Sequence, residues 1–180
     1  MTLMSRLFKA TGITLACAMT LSVAAQNLIV PQRDVPRPKT TNSVPHMQIG
    51  VSHNPAISEE LIRRADAMRG VSIRPTVISI PGAWAFWLDD DLDVARPKSI
   101  VAGREFAHIH PDGSLHASLS PELAKAATDA GWAIPHPWSD EREGWEGFVM
   151  IYTPQDQDEL EIVVDLVARS YEYVTGASPY

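Results

Sequence analysis

The sequence predicts a single α+β domain in which an antiparallel sheet packs against helices. Two observations carry this. Short runs rich in β-branched and aromatic residues are joined by links of hairpin length, with turn signals at Pro81-Gly82 and Pro111-Asp112-Gly113-Ser114. Between these runs lie segments whose apolar residues recur at helical spacing, bounded by capping residues and glycine.

Residues 1–25 read as a secretory signal peptide: Arg6 and Lys9 open it, Ala10 to Val23 is apolar, and Val23-Ala24-Ala25 offers a small-residue cleavage site. The mature protein is therefore expected in the periplasm or outside the cell. The apolar stretch is shorter than the roughly 20 residues of a spanning helix. An uncleaved leader is the alternative, and the only expected route to a membrane. Cleavage removes Cys17, the single cysteine, so disulfides and thiolate chemistry are excluded from the mature chain. It also takes the formal charge from -7 to -9, with no basic block left, which argues against nucleic-acid binding.

Residues 26–54 are polar and carry Pro31, Pro36, Pro38 and Pro45, the composition of an extended leader or tether. The domain proper is expected over residues 55–180. Its first helix should start near Ser58 and end at Gly70, with Ile57, Leu61, Ile62, Ala65 and Met68 on one stripe. Two strands follow, Thr76 to Ile80 and Ala83 to Leu88. After a histidine-rich hairpin, Ser120 caps a short helix from Pro121 to about Ala130. Phe148 to Tyr152 is another strand. The last helix, about Gln155 to Val174, aligns Leu160, Val163, Val164, Val167 and Tyr171.

The candidate chemistry lies in Arg104-Glu105-Phe106-Ala107-His108-Ile109-His110-Pro111-Asp112-Gly113-Ser114-Leu115-His116, which holds three of the six histidines. Strand alternation puts Phe106, His108 and His110 on one face. Whether His116 joins them depends on the parity of the hairpin loop. An odd loop, such as Asp112 to Ser114, collects Ile109, Leu115, Ala117 and Leu119 on a buried face, and His108, His110, His116 and Ser118 on the other; an even loop mixes them. The odd loop is expected. Such a patch has three uses: a solvated outer face, a metal site, or acid-base chemistry in which Glu105 or Asp112 fixes an imidazole.

His136, between Pro135 and Pro137, is a candidate fourth member. The acidic run Asp89-Asp90-Asp91-Leu92-Asp93 lacks the glycine and glutamate of a calcium loop, so a solvated loop is expected. Trp84 and Trp87 face opposite ways along their strand, and one of them is expected to line an aromatic pocket. No serine-hydrolase elbow, phosphate loop or dinucleotide fingerprint is present.

The order of Arg104 to His110, Ser114-Leu115-His116, Gly131-Trp132, His136-Pro137, Tyr152-Thr153-Pro154 and Ser170-Tyr171-Glu172-Tyr173-Val174-Thr175 resembles the luciferase-domain family: the fungal luciferases and their bacterial luciferase-domain branch. The resemblance runs from about Arg104 to Thr175. It implies a pocket in which a 3-hydroxy-α-pyrone is oxidised by molecular oxygen, releasing carbon dioxide and light, with no organic cofactor.

On this reading His108, His110, His116 and His136 are the catalytic candidates, one acting as the base that deprotonates an enol. Arg104, Glu105, Asp112, Ser114 and Trp84 are the substrate-binding candidates. No cofactor is expected, and a divalent metal, where present, falls to His108, His110 and His116. The turn Pro111-Asp112-Gly113 is shorter than in the fungal pattern and lacks its additional histidine, so light emission is not carried over. The expected function is an exported oxygenase or acid-base enzyme acting on a small pyrone-like or aromatic compound. The alternative is a non-catalytic periplasmic module that binds a small ligand or a metal.

Overall fold

The computed structural model describes residues 29–180. The expected signal peptide, residues 1–25, lies outside them. Among the described residues three α-helices form: α1 (Pro55–Asp66), α2 (Pro121–Asp129) and α3 (Gln157–Thr175). Helix α1 starts ahead of Ser58 because Asn54 is the cap, its side chain accepting the Ala56 N–H, and Pro55 suits the first turn. Asp156 caps α3, and Gly176, at φ 76°, ends it in the left-handed region that glycine adopts without strain.

Six strands form one sheet: β3 (Val71–Pro75), β4 (Trp84–Leu88), β5 (Glu105–Ile109), β6 (Leu115–Ser118), β7 (Ala133–Pro135) and β8 (Phe148–Ile151). Their order is β3-β4-β5-β6-β8-β7, and every neighbouring pair is antiparallel. A separate two-stranded ribbon joins β1 (Lys39–Thr40) and β2 (Gln48–Ile49). The α+β expectation holds. Among the described residues no helix is long and apolar enough to cross a membrane.

Helices α1 and α3 cover one face of the sheet, where Phe86, Ile109 and Leu115 join Leu61, Val163, Val167 and Tyr171 in one buried cluster. This burial supplies the main driving force for the layer. The other face carries Ala85, His108, His116 and Met150, aligned across neighbouring strands. It is the face that carries the site.

Three expectations are corrected. Thr76 to Ile80 is not a strand: the hydroxyl of Thr76 accepts the N–H groups of Ile78 and Ser79, and Glu105 accepts that of Val77. Those bonds give the backbone a local alternative to the sheet ladder. The strand is instead β3, just before it, and β7 is an additional short strand that the reading of the sequence omits.

The second correction concerns residues 26–54. Over the described part, the segment is bound to the domain rather than tethering it. Arg33 pairs with Glu159 at 2.9 Å, Trp132 donates to the Pro31 carbonyl at 2.6 Å, and Gln48 donates to the Thr153 hydroxyl at 2.6 Å. Its polar residues thus find buried partners that no local pattern reveals.

The third correction is on β5. Phe106 does not share a face with His108: it sits in the core, 6.3 Å from Phe86 and 5.9 Å from Tyr171 between ring centres. Phe86 pairs with Ala107 while Trp87 pairs with Glu105, so Phe106 is the extra residue of a β-bulge. The bulge reverses the alternation upstream of it. Glu105, three residues before His108, is thereby brought to the histidine face.

Candidate active site

The hairpin between β5 and β6 pairs His108 with His116 and Ile109 with Leu115, and the His110 N–H donates to the Ser114 carbonyl at 2.8 Å. The loop is Pro111-Asp112-Gly113 rather than Asp112 to Ser114, because Ser114 pairs with His110; the number of residues is still odd. Parity therefore places the three histidines as the apolar pattern requires. Gly113, at φ 81°, completes the turn, and a Cβ there would lie 2.8 Å from the Ser58 hydroxyl.

The histidine face opens into a cavity of about 470 Å³. His108, His110, His116 and His136 line one part of it; Val101, Ile78, Ile80, Trp138, Trp145 and Phe148 line much of the rest. His136 arrives from the loop after β7, and its N–H donates to the Phe148 carbonyl at 2.9 Å. A fifth histidine, His46, comes from the segment between β1 and β2. It stacks on His116 with ring centres 5.5 Å apart and meets His136 edge-on at 5.3 Å. All five are buried.

His46 is not legible as a site residue in the sequence, because it lies in a stretch whose composition is that of a tether. The signal available was the Pro-His dipeptide that Pro45-His46 shares with Pro135-His136.

Two of the imidazoles are held by carboxylates. Glu105, fully buried, lies 2.6 Å from His108 Nδ1 and accepts from the Thr76 hydroxyl at 3.0 Å and the Val77 N–H at 3.3 Å. Donors converge on it, as suits a carboxylate, so His108 carries a proton on Nδ1. Asp112 Oδ1 accepts from the Ser114 hydroxyl at 2.7 Å. That hydroxyl is then free to accept from His110 Nδ1 at 2.9 Å. Both arrangements leave Nε2 of the histidine as a lone-pair donor.

His108 Nε2 lies 3.0 Å from His116 Nδ1. Since that Nε2 is an acceptor, His116 donates from Nδ1 and keeps its lone pair on Nε2, a buried atom with no protein partner. His46 Nδ1 is likewise without one. His136 is the opposite case. Its Nδ1 accepts the Trp138 N–H at 3.1 Å, so the neutral ring presents Nε2–H.

Burial disfavours the charged form of four of the rings. Burial, then the charges of neighbouring histidines, lowers the pKa of His110 to about 4, although Asp112 opposes the fall. Burial followed by repulsion from His46, His108 and His110 lowers His136 to about 4. His116 is pushed well below the usual range and His46 is lowered, burial being the leading cause in both.

The remaining candidates divide. Glu105, Asp112 and Ser114 position histidines rather than line the cavity. Arg104 is directed away, its Nε donating to the Leu88 carbonyl at 3.0 Å. Trp84 is a correction as well. It pairs with Ile109 on the helix-covered face, is 45% exposed, and borders a separate shallow recess with Ser58 and Glu59. The bland alternative of a solvated histidine face is excluded by the burial of all three hairpin histidines.

Comparison with known proteins agrees with the resemblance. Residues 103–170 match the model of the luciferase domain family. Proteins called luciferase from Armillaria gallica, Armillaria mellea and Armillaria ostoyae are each 26% identical over 167 residues, covering 82% of this chain and 62% of theirs. The chain thus spans about three-fifths of the length of these relatives. No solved structure matches it.

Proposed function

Because residues 103–170 match the model of the luciferase domain family, we propose that the protein is an enzyme that removes a proton from a small enol or phenol. The pyrone-like or aromatic anion so formed is then oxygenated without an organic cofactor. One observation carries the reading: Glu105, His108 and His116 form a single hydrogen-bonded chain that ends on the unpartnered Nε2 of His116.

A hydroxyl proton accepted at His116 Nε2 lets His116 pass its Nδ1 proton to His108 Nε2. The positive charge then rests on His108 beside Glu105 rather than next to the substrate. His136 Nε2–H is the donor available to the substrate oxygen left negative. The enolate supplies both electrons of the new carbon–oxygen bond to dioxygen, and the removed proton is returned from His108 when the peroxide forms. Trp138, Trp145 and Phe148 offer flat apolar surfaces for a ring.

Oxygen uptake and product analysis with a panel of hydroxypyrones and dihydroxyphenols test this. Turnover is expected with the wild-type chain. His116→Ala should lower kcat by about 10²- to 10⁴-fold, the range of one acid-base group, with the circular dichroism spectrum unchanged. Compounds that bind in the cavity and are never transformed would instead establish the non-catalytic binding module.

A further inference from the structure

We propose that His108, His110 and His116 also form a site for one divalent transition-metal ion, and that this ion competes with the relay proton for the same nitrogens. The competition rests on the function proposed above. The site does not.

One ring nitrogen from each of the three residues lies within 4.8 Å of the other two, and His108 Nε2 lies 3.0 Å from His116 Nδ1. Nitrogens each about 2.1 Å from a tetrahedral ion are separated by roughly 3.4 Å. Small ring rotations therefore reach a ligating geometry. The far sides of two rings are already arranged as in metal sites, where a ligating histidine gives its other N–H to an oxygen acceptor. His108 gives Nδ1–H to Glu105 at 2.6 Å, and His110 gives Nδ1–H to Ser114, itself held by Asp112.

His116 joins by moving its proton from Nδ1 to Nε2, with no net proton release. The shared hydrogen bond to His108 is then lost, which is the physical basis of the competition. Three neutral imidazoles suit Zn²⁺, Co²⁺ or Cu²⁺, with a fourth position left for a water molecule or another ligand.

A second trio, His46, His116 and His136, is also close enough. It fits less well. His136 Nδ1 accepts the Trp138 N–H, which places the ring proton on Nε2 and leaves no free lone pair for an ion.

Titration of the metal-free chain with Co²⁺, followed by its visible ligand-field bands, and with Zn²⁺ by calorimetry, tests the assignment. One ion per chain with tetrahedral Co²⁺ absorption is expected. His110→Ala and His116→Ala should each weaken binding at least tenfold, while His46→Ala and His136→Ala retain it. Glu105→Gln should weaken it about 10- to 100-fold, as loss of an outer-shell partner does. Melting curves of the metal-free variants check that each is folded. Absence of stoichiometric binding to the wild-type chain overturns the site, and so does binding that survives His110→Ala but is lost in His136→Ala.

Site and relay fail separately. Faster turnover by Zn²⁺-loaded than by metal-free protein would overturn the competition and the relay, with the titration still deciding the site. Absence of any turnover would remove the proposed reaction and leave the titration to stand on its own.

Discussion

At the scale of single residues, the site depends on which ring nitrogen carries a proton. Glu105 decides this for His108, and through it for His116. Glu105→Gln keeps the shape and removes the charge that stabilises a protonated His108. Turnover is expected to fall about 100-fold, measured as kcat by oxygen uptake. A kcat within twofold of wild type would show that Glu105 serves packing alone. Ser114→Ala should act differently, since it frees the His110 ring without touching the Glu105 chain. Nitrogen-15 spectra of the imidazoles should then show His110 as a mixture of tautomers, where the wild-type ring carries its proton on Nδ1.

At the scale of elements, the histidine hairpin shows what pattern reading can and cannot reach. The positions of Ile109, Leu115 and Ala117 demanded an odd loop, and the loop is Pro111-Asp112-Gly113. The bulge at Phe106 left no such mark. An apolar residue at 106 fits either face until Phe86, Tyr171 and the β4 register are known. The approach of the β8 entry to the end of β6 is equally tight. A Cβ on Gly147 would lie 2.0 Å from the Leu119 carbonyl oxygen, which belongs to the backbone. Gly147→Ala should therefore cost about 3 kcal/mol of stability, the upper end for overpacking, read from denaturant unfolding. It should also weaken ligand binding, because Phe148 lines the cavity.

At the scale of the whole molecule, the N-terminal segment closes the site. Arg33 and Glu159 are both largely buried, so Arg33→Ala leaves a carboxylate without its partner. A loss of about 3 kcal/mol is expected, accompanied by faster proteolysis within residues 29–49. The neutral histidines set the pH dependence. With folded pKa values of about 4 for His110 and His136, against 6.5 for an ordinary histidine, the unfolded chain binds more protons between these limits. Stability should be full above pH 6.5 and fall as the pH drops towards 4, by at most about 1.4 kcal/mol per pH unit for each histidine. Urea midpoints at pH 7.5 and pH 5 check the sign. A midpoint that rises on acidification would mean that the folded cavity holds charged imidazoles.

The sequence by itself determined the layer architecture, the cap of α2, and the gathering of three histidines on one side of a hairpin. Each follows from spacing within a few residues, where backbone geometry ties pattern to face. Tertiary structure alone decided that His46 belongs to the site, that Trp84 does not, and that Glu105 turns towards His108. Those outcomes depend on a distant segment docking through Arg33 and Gln48, and on a strand register set by residues far apart in the chain. Burial acts in the same way. Enclosure by loops from across the chain is what lowers the pKa values of His46, His110, His116 and His136 below that of a solvated imidazole.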